Sequence, residues 1–223
     1  MGPKEKSEYL QQPRKWNYDQ FKAYLLLLSY KPEATLFYHQ SPETIQVTKV
    51  WHEFLNQMRD ETKDKYERYA VIGCKPESHT LYLPSRTAKG DQHQIPTEII
   101  LSERIKAYKN DIKIAGDIHS HPKKHKNSPQ IFSTGDLYIP LVPSQFTKVM
   151  CLVEYNKNLL VLTSRETEMI PYSGIFPQKQ FVRYWEEQSP DTWNTTMKIA
   201  QRHKLAIYSG KINEEFRRIA PKI

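Results

Sequence analysis

Hydrophobic and polar residues follow one another along the chain with two spacings, one typical of helices and one typical of strands. Apolar residues at intervals of three and four predict helices at 16–30, 50–58, 96–108, 137–142, 178–188 and 191–204. Alternating or continuous short apolar runs predict strands at 44–48, 67–73, 79–83, 112–118, 148–153 and 159–162, and 34–38 is also β-prone. A polar basic tail is expected after Lys204. This mixture predicts an α/β (α+β) protein.

Composition narrows the class of protein. Of the 223 residues, 38% are hydrophobic and 12% aromatic, which is too much apolar material for a disordered chain. The formal net charge of +8 predicts attraction to acidic partners but does not choose among nucleic acid, acidic protein and membrane headgroups. The aromatic helix positions Trp51 and Phe54 are interpreted as core, and Thr48 as the cap that starts their helix.

Cysteines and apolar runs bear on the cellular compartment. Cys74 and Cys151 are far apart and lie in predicted strands, so we expect two reduced, buried thiols rather than a disulfide framework. The first residues lack the apolar segment of a signal peptide, and the longest aliphatic run, 25–28, is too short to cross a bilayer. These features predict a cytoplasmic protein without a membrane segment.

A His-x-His pair at the end of a strand is the main candidate for chemistry. His119 and His121 follow the apolar run 112–118, and side chains two residues apart lie on the same side of an extended backbone. They can therefore bind one ion together, with Asp136 as a third ligand from the next element. Two alternatives stay open: polar residues that merely end a strand, and a helix capping box formed by Ser133 and Asp136.

These residues resemble the motif of a known family. Glu67 at the start of a strand, Gly116-Asp117-Ile118-His119-Ser120-His121-Pro122, and Ser133-Thr134-Gly135-Asp136 together resemble the JAMM (MPN-plus, or JAB domain) metalloproteases. The resemblance covers about residues 44–168. It implies a cytidine-deaminase-like fold, with a mixed β-sheet flanked by helices. The JAB/MPN domain is accordingly expected at 44–168. The resemblance does not explain the segments on either side, which we interpret as an N-terminal tail and helical extension at 1–43 and a C-terminal helical extension at 169–223.

The resemblance also implies a role for each site residue. His119, His121 and Asp136 would be the ligands of Zn²⁺, which leaves a fourth position for water. Glu67 would be the general base and Ser133 would stabilise the oxyanion. From the residues alone, Glu77 and Glu98 stay open as alternative bases.

One spacing departs from the family pattern. Seven residues usually separate the second histidine from the serine, whereas residues 122–132 make eleven here. The additional residues include a Lys-Lys-His-Lys cluster, so we expect an altered entrance to the site. His125 in that cluster is either an extra ligand or substrate contact, or a solvated loop histidine.

The resemblance implies a zinc-dependent isopeptidase or protease, a deubiquitinase-like enzyme that cleaves after the C-terminal tail of a ubiquitin-like protein or processes its precursor. The substrate would be a ubiquitin-like protein or its conjugate, bound by strand addition. The terminal extensions would pack against the domain or dock a conjugation-system enzyme. The alternatives are a non-catalytic MPN-type scaffold and a RadC-like nucleic-acid-associated protein, the latter supported only by the net charge.

Overall fold

The computed structural model describes residues 15–78, 80–122, 131–142, 147–170, 177–189 and 191–220, and the fold within these ranges is mixed α/β. Its α-helices are α1 (Tyr18–Tyr30), α2 (Lys49–Glu61), α3 (Thr97–Lys109), α4 (Thr134–Tyr138), α5 (Pro177–Gln188) and α6 (Thr192–His203). Its strands are β1 (Lys15–Trp16), β2 (Thr44–Ile45), β3 (Arg68–Lys75), β4 (Thr80–Tyr82), β5 (Ala88–Lys89), β6 (Lys113–Ser120), β7 (Val149–Val153), β8 (Lys157–Leu162), β9 (Ala206–Lys211) and β10 (Phe216–Ala220).

The strands form one mixed sheet in the order β1-β2-β10-β9-β8-β7-β6-β3-β4, and β5 also pairs with β3. The pairs β1-β2 and β6-β7 are parallel, and the other neighbours are antiparallel. The chain passes through α4 between β6 and β7, as the return between parallel strands requires. Both of these strands therefore end at the same edge of the sheet.

Helices cover both faces of the sheet. On one face, α1 and α2 pack their apolar sides on the central strands, with Phe21, Leu25, Trp51 and Leu55 fully buried. On the other face, one apolar cluster joins β7 and β8 to α4, α5 and α6, and a second joins β3 to α3. Strand β6 lies between these two clusters and carries Asp117 and His119, so polar groups occupy the space between two apolar regions.

The expected helix cap and the two expected buried cysteines are confirmed. Thr48 caps α2 by accepting the N–H of Trp51. At the start of α1 the structure adds a capping box formed by Asn17 and Gln20. Cys74 and Cys151 are free, buried and in strands. No helix within the described ranges is long and apolar enough to span a membrane.

Gly116 allows β6 and β7 to approach closely. A Cβ atom at this position would lie 1.8 Å from the carbonyl oxygen of Val149, so any other residue would push the two strands apart. The glycine of the motif therefore serves the strand pairing that aligns the ends of β6 and β7.

Two predictions about secondary structure are wrong. Residues 206–220 are not a polar basic tail, because β9 pairs with β8 and β10 pairs with β9 in the central sheet. The C-terminal segment from residue 169 thus contains two strands as well as two helices. The β-prone run 34–38 forms no strand, and a 3-10 turn follows at Tyr38–Gln40.

Candidate metal centre

Three predicted ligands come together at the end of β6. His119 Nε2 lies 3.1 Å from Asp136 Oδ1, and His121 Nε2 lies 3.4 Å from Asp136 Oδ2. One donor atom from each of the three residues lies within 4.8 Å of the other two, and among the described residues this is the one cluster able to hold a metal ion. The structure therefore brings together the residues that the sequence spacing selected.

The triad fits a metal ion in two respects. Ligands about 2.0–2.1 Å from an ion at the tetrahedral angle lie about 3.3 Å apart. The contacts from the two histidine Nε2 atoms to the Asp136 carboxylate, one to each oxygen, are 3.1 and 3.4 Å and so are close to this value. His119 is 6% exposed, and its Nε2 forms no hydrogen bond with any described residue, although it lies 3.1 Å from Asp136 Oδ1. A buried nitrogen without a hydrogen bond is costly, and a metal ion would satisfy it.

Asp136 acts as a cap and faces the histidines at the same time. Its Oδ2 accepts the backbone N–H of Ser133 at 2.7 Å, while the Asp136 N–H donates to Ser133 Oγ at 3.1 Å. A carboxylate has about four acceptor positions on two oxygens, so Oδ1 still faces His119. The capping-box interpretation and the ligand interpretation are therefore compatible, and the cap holds the carboxylate in place.

Ser133 is exposed at the start of α4. Its hydroxyl oxygen accepts the Asp136 N–H, and this bond does not use the hydroxyl proton. The proton can therefore be donated outward to an oxygen of a bound molecule. This arrangement is compatible with the oxyanion role that the family resemblance implies.

Ser120, between the two histidines, faces the opposite side of the sheet. Thr62 Oγ1 donates to the Met58 carbonyl at 2.6 Å and lies 2.6 Å from Ser120 Oγ, so Ser120 is the donor to Thr62. Ser120 Oγ in turn accepts the Arg68 N–H at 3.0 Å. These bonds tie the end of β6 to α2 and β3 and so fix the backbone between the ligands.

Glu67 lies at the same edge of the sheet as the triad. In the antiparallel pairing of β3 with β6, Arg68 is opposite Ser120 and Tyr69 is opposite His119. One step further, Glu67 precedes β3 where His121 follows β6, and the alternation of side chains puts Glu67 on the face of the histidines. Glu67 is 4% exposed, and its backbone pairs with Gly90 and Asp91.

The alternative bases lie on other elements. Glu77 is in the turn beyond the far end of β3, which runs for about 23 Å from Arg68 at 3.3 Å per residue. Glu98 is in the first turn of α3 and lines a groove that β5 also borders. His125 and the Lys-Lys-His-Lys cluster lie outside the described residues.

A buried polar network beside His119 was not expected from the sequence. Asp117 accepts hydrogen bonds from Tyr69 Oη, from Arg104 Nη2 at 2.6 Å and from Thr147 Oγ1 at 2.5 Å. Burial and the neighbouring Asp117 raise the pKa of Tyr69 well above its usual value. The network joins β6 to β3 and α3 and holds the strand that carries the histidines.

A second carboxylate contacts the triad. Glu154 directly follows β7, is 7% exposed, and its Oε1 lies 2.8 Å from His121 Nδ1. Burial disfavours an imidazolium, but Asp136 and Glu154 outweigh this effect and raise the pKa of His121 to about 10. Burial also disfavours the Asp136 carboxylate, but both histidines hold the pKa of Asp136 well below its usual value. The carboxylates of Asp136 and Glu154 therefore make the site favourable for a bound cation.

Comparison with known proteins gives no independent assignment. No protein-family model matches the chain, and no curated protein matches it. The geometry of the triad and the motif resemblance are therefore the grounds for a function.

Proposed function

We propose that this chain is a zinc-dependent peptidase or isopeptidase with a JAB/MPN-type domain. The observation that carries the proposal is the cluster of His119, His121 and Asp136, in which one donor atom of each residue lies within 4.8 Å of the other two and the buried His119 Nε2 forms no hydrogen bond with a described residue. Three ligands leave one position of a tetrahedral zinc ion open, which is the arrangement of hydrolytic rather than structural zinc sites.

The family resemblance supplies a role for each of the chain's own residues, and their positions at one end of the strands are compatible with these roles. When bound, zinc supplies a Lewis acid that activates water and polarises the carbonyl of the bond to be cleaved. The Glu67 carboxylate takes a proton from the water while the water oxygen attacks the carbonyl carbon. It then transfers that proton to the leaving nitrogen as the C–N bond breaks. The exposed Ser133 hydroxyl donates a hydrogen bond to the carbonyl oxygen as its negative charge develops.

The surface beside the site suits a protein substrate. A groove of about 460 Å³ runs between β5 and α3, lined in part by Lys89, Glu98 and Lys106. In the described part of the chain β5 pairs only with β3, so its other edge can accept an extended peptide. The neighbouring face of α3 exposes three large apolar side chains, namely Leu101 (54%), Ile105 (53%) and Tyr108 (77%).

The family resemblance supplies the substrate class, which is a ubiquitin-like protein with a flexible C-terminal tail. The strand edge of β5 would take the tail, and the apolar face of α3 would contact the folded part of the substrate.

We expect the purified chain to bind one zinc ion and to need it for cleavage. Elemental analysis should give about one zinc per chain, and zinc-loaded protein should cleave at least one member of a panel of ubiquitin-like fusions. A chelator should abolish cleavage and added zinc should restore it. Stoichiometric zinc without cleavage of any fusion would favour the scaffold alternative. No zinc at all would contradict the metal site itself.

Acid should weaken zinc binding. Each histidine must present an unprotonated nitrogen, and the neighbouring carboxylates raise the pKa of His121 to about 10, so zinc displaces a proton at neutral pH. Since protons compete with the metal, the affinity should fall as the pH falls, by about tenfold per pH unit for each displaced proton. Competition with a chromophoric chelator between pH 8 and pH 6 measures this slope. A pH-independent affinity would contradict ligation by His121.

A further inference from the structure

Glu154 is a buried carboxylate that the proposed reaction does not use. It contacts Nδ1 of His121, the ring nitrogen opposite to the one that faces Asp136, so it lies outside the triad. We propose that Glu154 is a positioning residue of the metal site, which holds His121 in the orientation and tautomer that present Nε2 to the ion. This inference rests on the metal site proposed above.

The sheet topology places the two residues side by side. Strands β6 and β7 are parallel, with Ser120 beside Val153, and the His121 N–H donates to the Val153 carbonyl at 3.2 Å. The residues that directly follow the two strands are then His121 after β6 and Glu154 after β7. Their contact is therefore a consequence of the strand register rather than of a chance approach of two long side chains.

The backbone of Glu154 is itself held from two sides. Arg59 on α2 donates from Nε to the Glu154 carbonyl at 2.8 Å and from Nη2 to Asn158 Oδ1 at 2.6 Å. The Glu154 N–H donates to the Lys157 carbonyl at 3.0 Å, which closes the turn between β7 and β8. Because the backbone of Glu154 is fixed, its side chain loses little conformational freedom when it contacts His121.

The chemistry of the contact determines which nitrogen is available for the metal. With its proton on Nδ1, His121 donates to Glu154 Oε1 and leaves a lone pair on Nε2. A carboxylate partner also makes the imidazole a better ligand, and removing such partners typically lowers metal affinity by about 10- to 100-fold. A glutamine would keep a hydrogen-bond acceptor but lose the negative charge.

The test compares zinc affinity in Glu154→Gln with that in the wild type and in Glu53→Gln. Glu53 is an exposed residue of α2, so this control removes one negative charge far from the triad. Chelator competition should show an affinity about 10- to 100-fold lower for Glu154→Gln and unchanged for Glu53→Gln. The visible absorption spectrum of the cobalt-substituted protein should change only in Glu154→Gln, which a general loss of stability would not produce.

A second variant tests the same proposal by weakening the hydrogen bond that holds the backbone of Glu154. Arg59→Lys keeps the charge but loses the paired contacts to Glu154 and Asn158, so it should weaken zinc binding to a smaller extent. Combined with Glu154→Gln it should add nothing, because Arg59 acts through Glu154. If the wild type binds zinc and both variants bind it equally well, the positioning role is overturned. If the wild type binds no zinc, it is the proposed metal site that fails.

Discussion

Glu67→Gln is expected to retain zinc and to lose about 100- to 10,000-fold in kcat on a ubiquitin-like fusion. The amide keeps the size of the buried Glu67 side chain but cannot take a proton from the attacking water or return one to the leaving nitrogen. Glu67 is not among the three ligand residues, so zinc content by elemental analysis should equal that of the wild type. Single-turnover cleavage with saturating enzyme measures the loss in the chemical step.

Glu77→Gln is the matched control for this experiment. Glu77 is exposed in the turn beyond the far end of β3, outside the proposed substrate groove, and was open as an alternative base. We expect this variant to keep the wild-type kcat. A full loss in Glu77→Gln with full activity in Glu67→Gln would transfer the role of base to Glu77.

The histidine pair of the triad could be predicted from the sequence because it depends on local geometry. Two histidines spaced by one residue must share a side of a strand, and a strand end is where side chains become accessible. The start of α4 could also be predicted from the sequence, since Ser133 and Asp136 have the spacing of a capping box. Whether one carboxylate is both cap and ligand cannot be predicted from this spacing, because it depends on where each oxygen points: Oδ2 accepts the Ser133 N–H while Oδ1 faces His119.

Glu154 was missed because its role depends on long-range pairing. The sequence identified β7 as a strand but not that it runs parallel to β6. A helix between two strands is the usual sign of a parallel pair. Since α4 lies between β6 and β7, this rule predicts that the two strands end side by side. The residue after β7 is then a candidate neighbour of His121.

The last two strands show a different limit. In β10, Arg217 is exposed and Arg218 is half-buried, between the buried Phe216 and Ala220. These basic residues belong to a strand whose backbone pairs on both sides, with β9 and with β2. The number of charged residues correctly predicts a polar surface for this segment, but it does not predict the partners of its backbone hydrogen bonds.

Asp136→Asn should separate the two roles of Asp136. An asparagine oxygen can still accept the Ser133 N–H, so the start of α4 should persist, but the negative charge that the two histidines face is lost. In the wild type, zinc at about 1,000 times its Kd should stabilise the fold by about 4 kcal/mol. For a chain of this size that corresponds to a rise in Tm of about 8–16 °C. Asp136→Asn should lose most of this zinc-dependent rise, as measured by thermal unfolding with zinc and with chelator.

Ser133→Ala provides the opposite comparison. It removes the hydroxyl that accepts the Asp136 N–H, which should cost about 1 kcal/mol both with zinc and with chelator. The three ligands remain, so the zinc-dependent rise in Tm should match that of the wild type. A full zinc-dependent rise in Asp136→Asn would mean that Asp136 serves only as a cap. The two variants thus measure separately whether the Asp136 carboxylate binds the ion and how much the Ser133 hydroxyl contributes to the cap of α4.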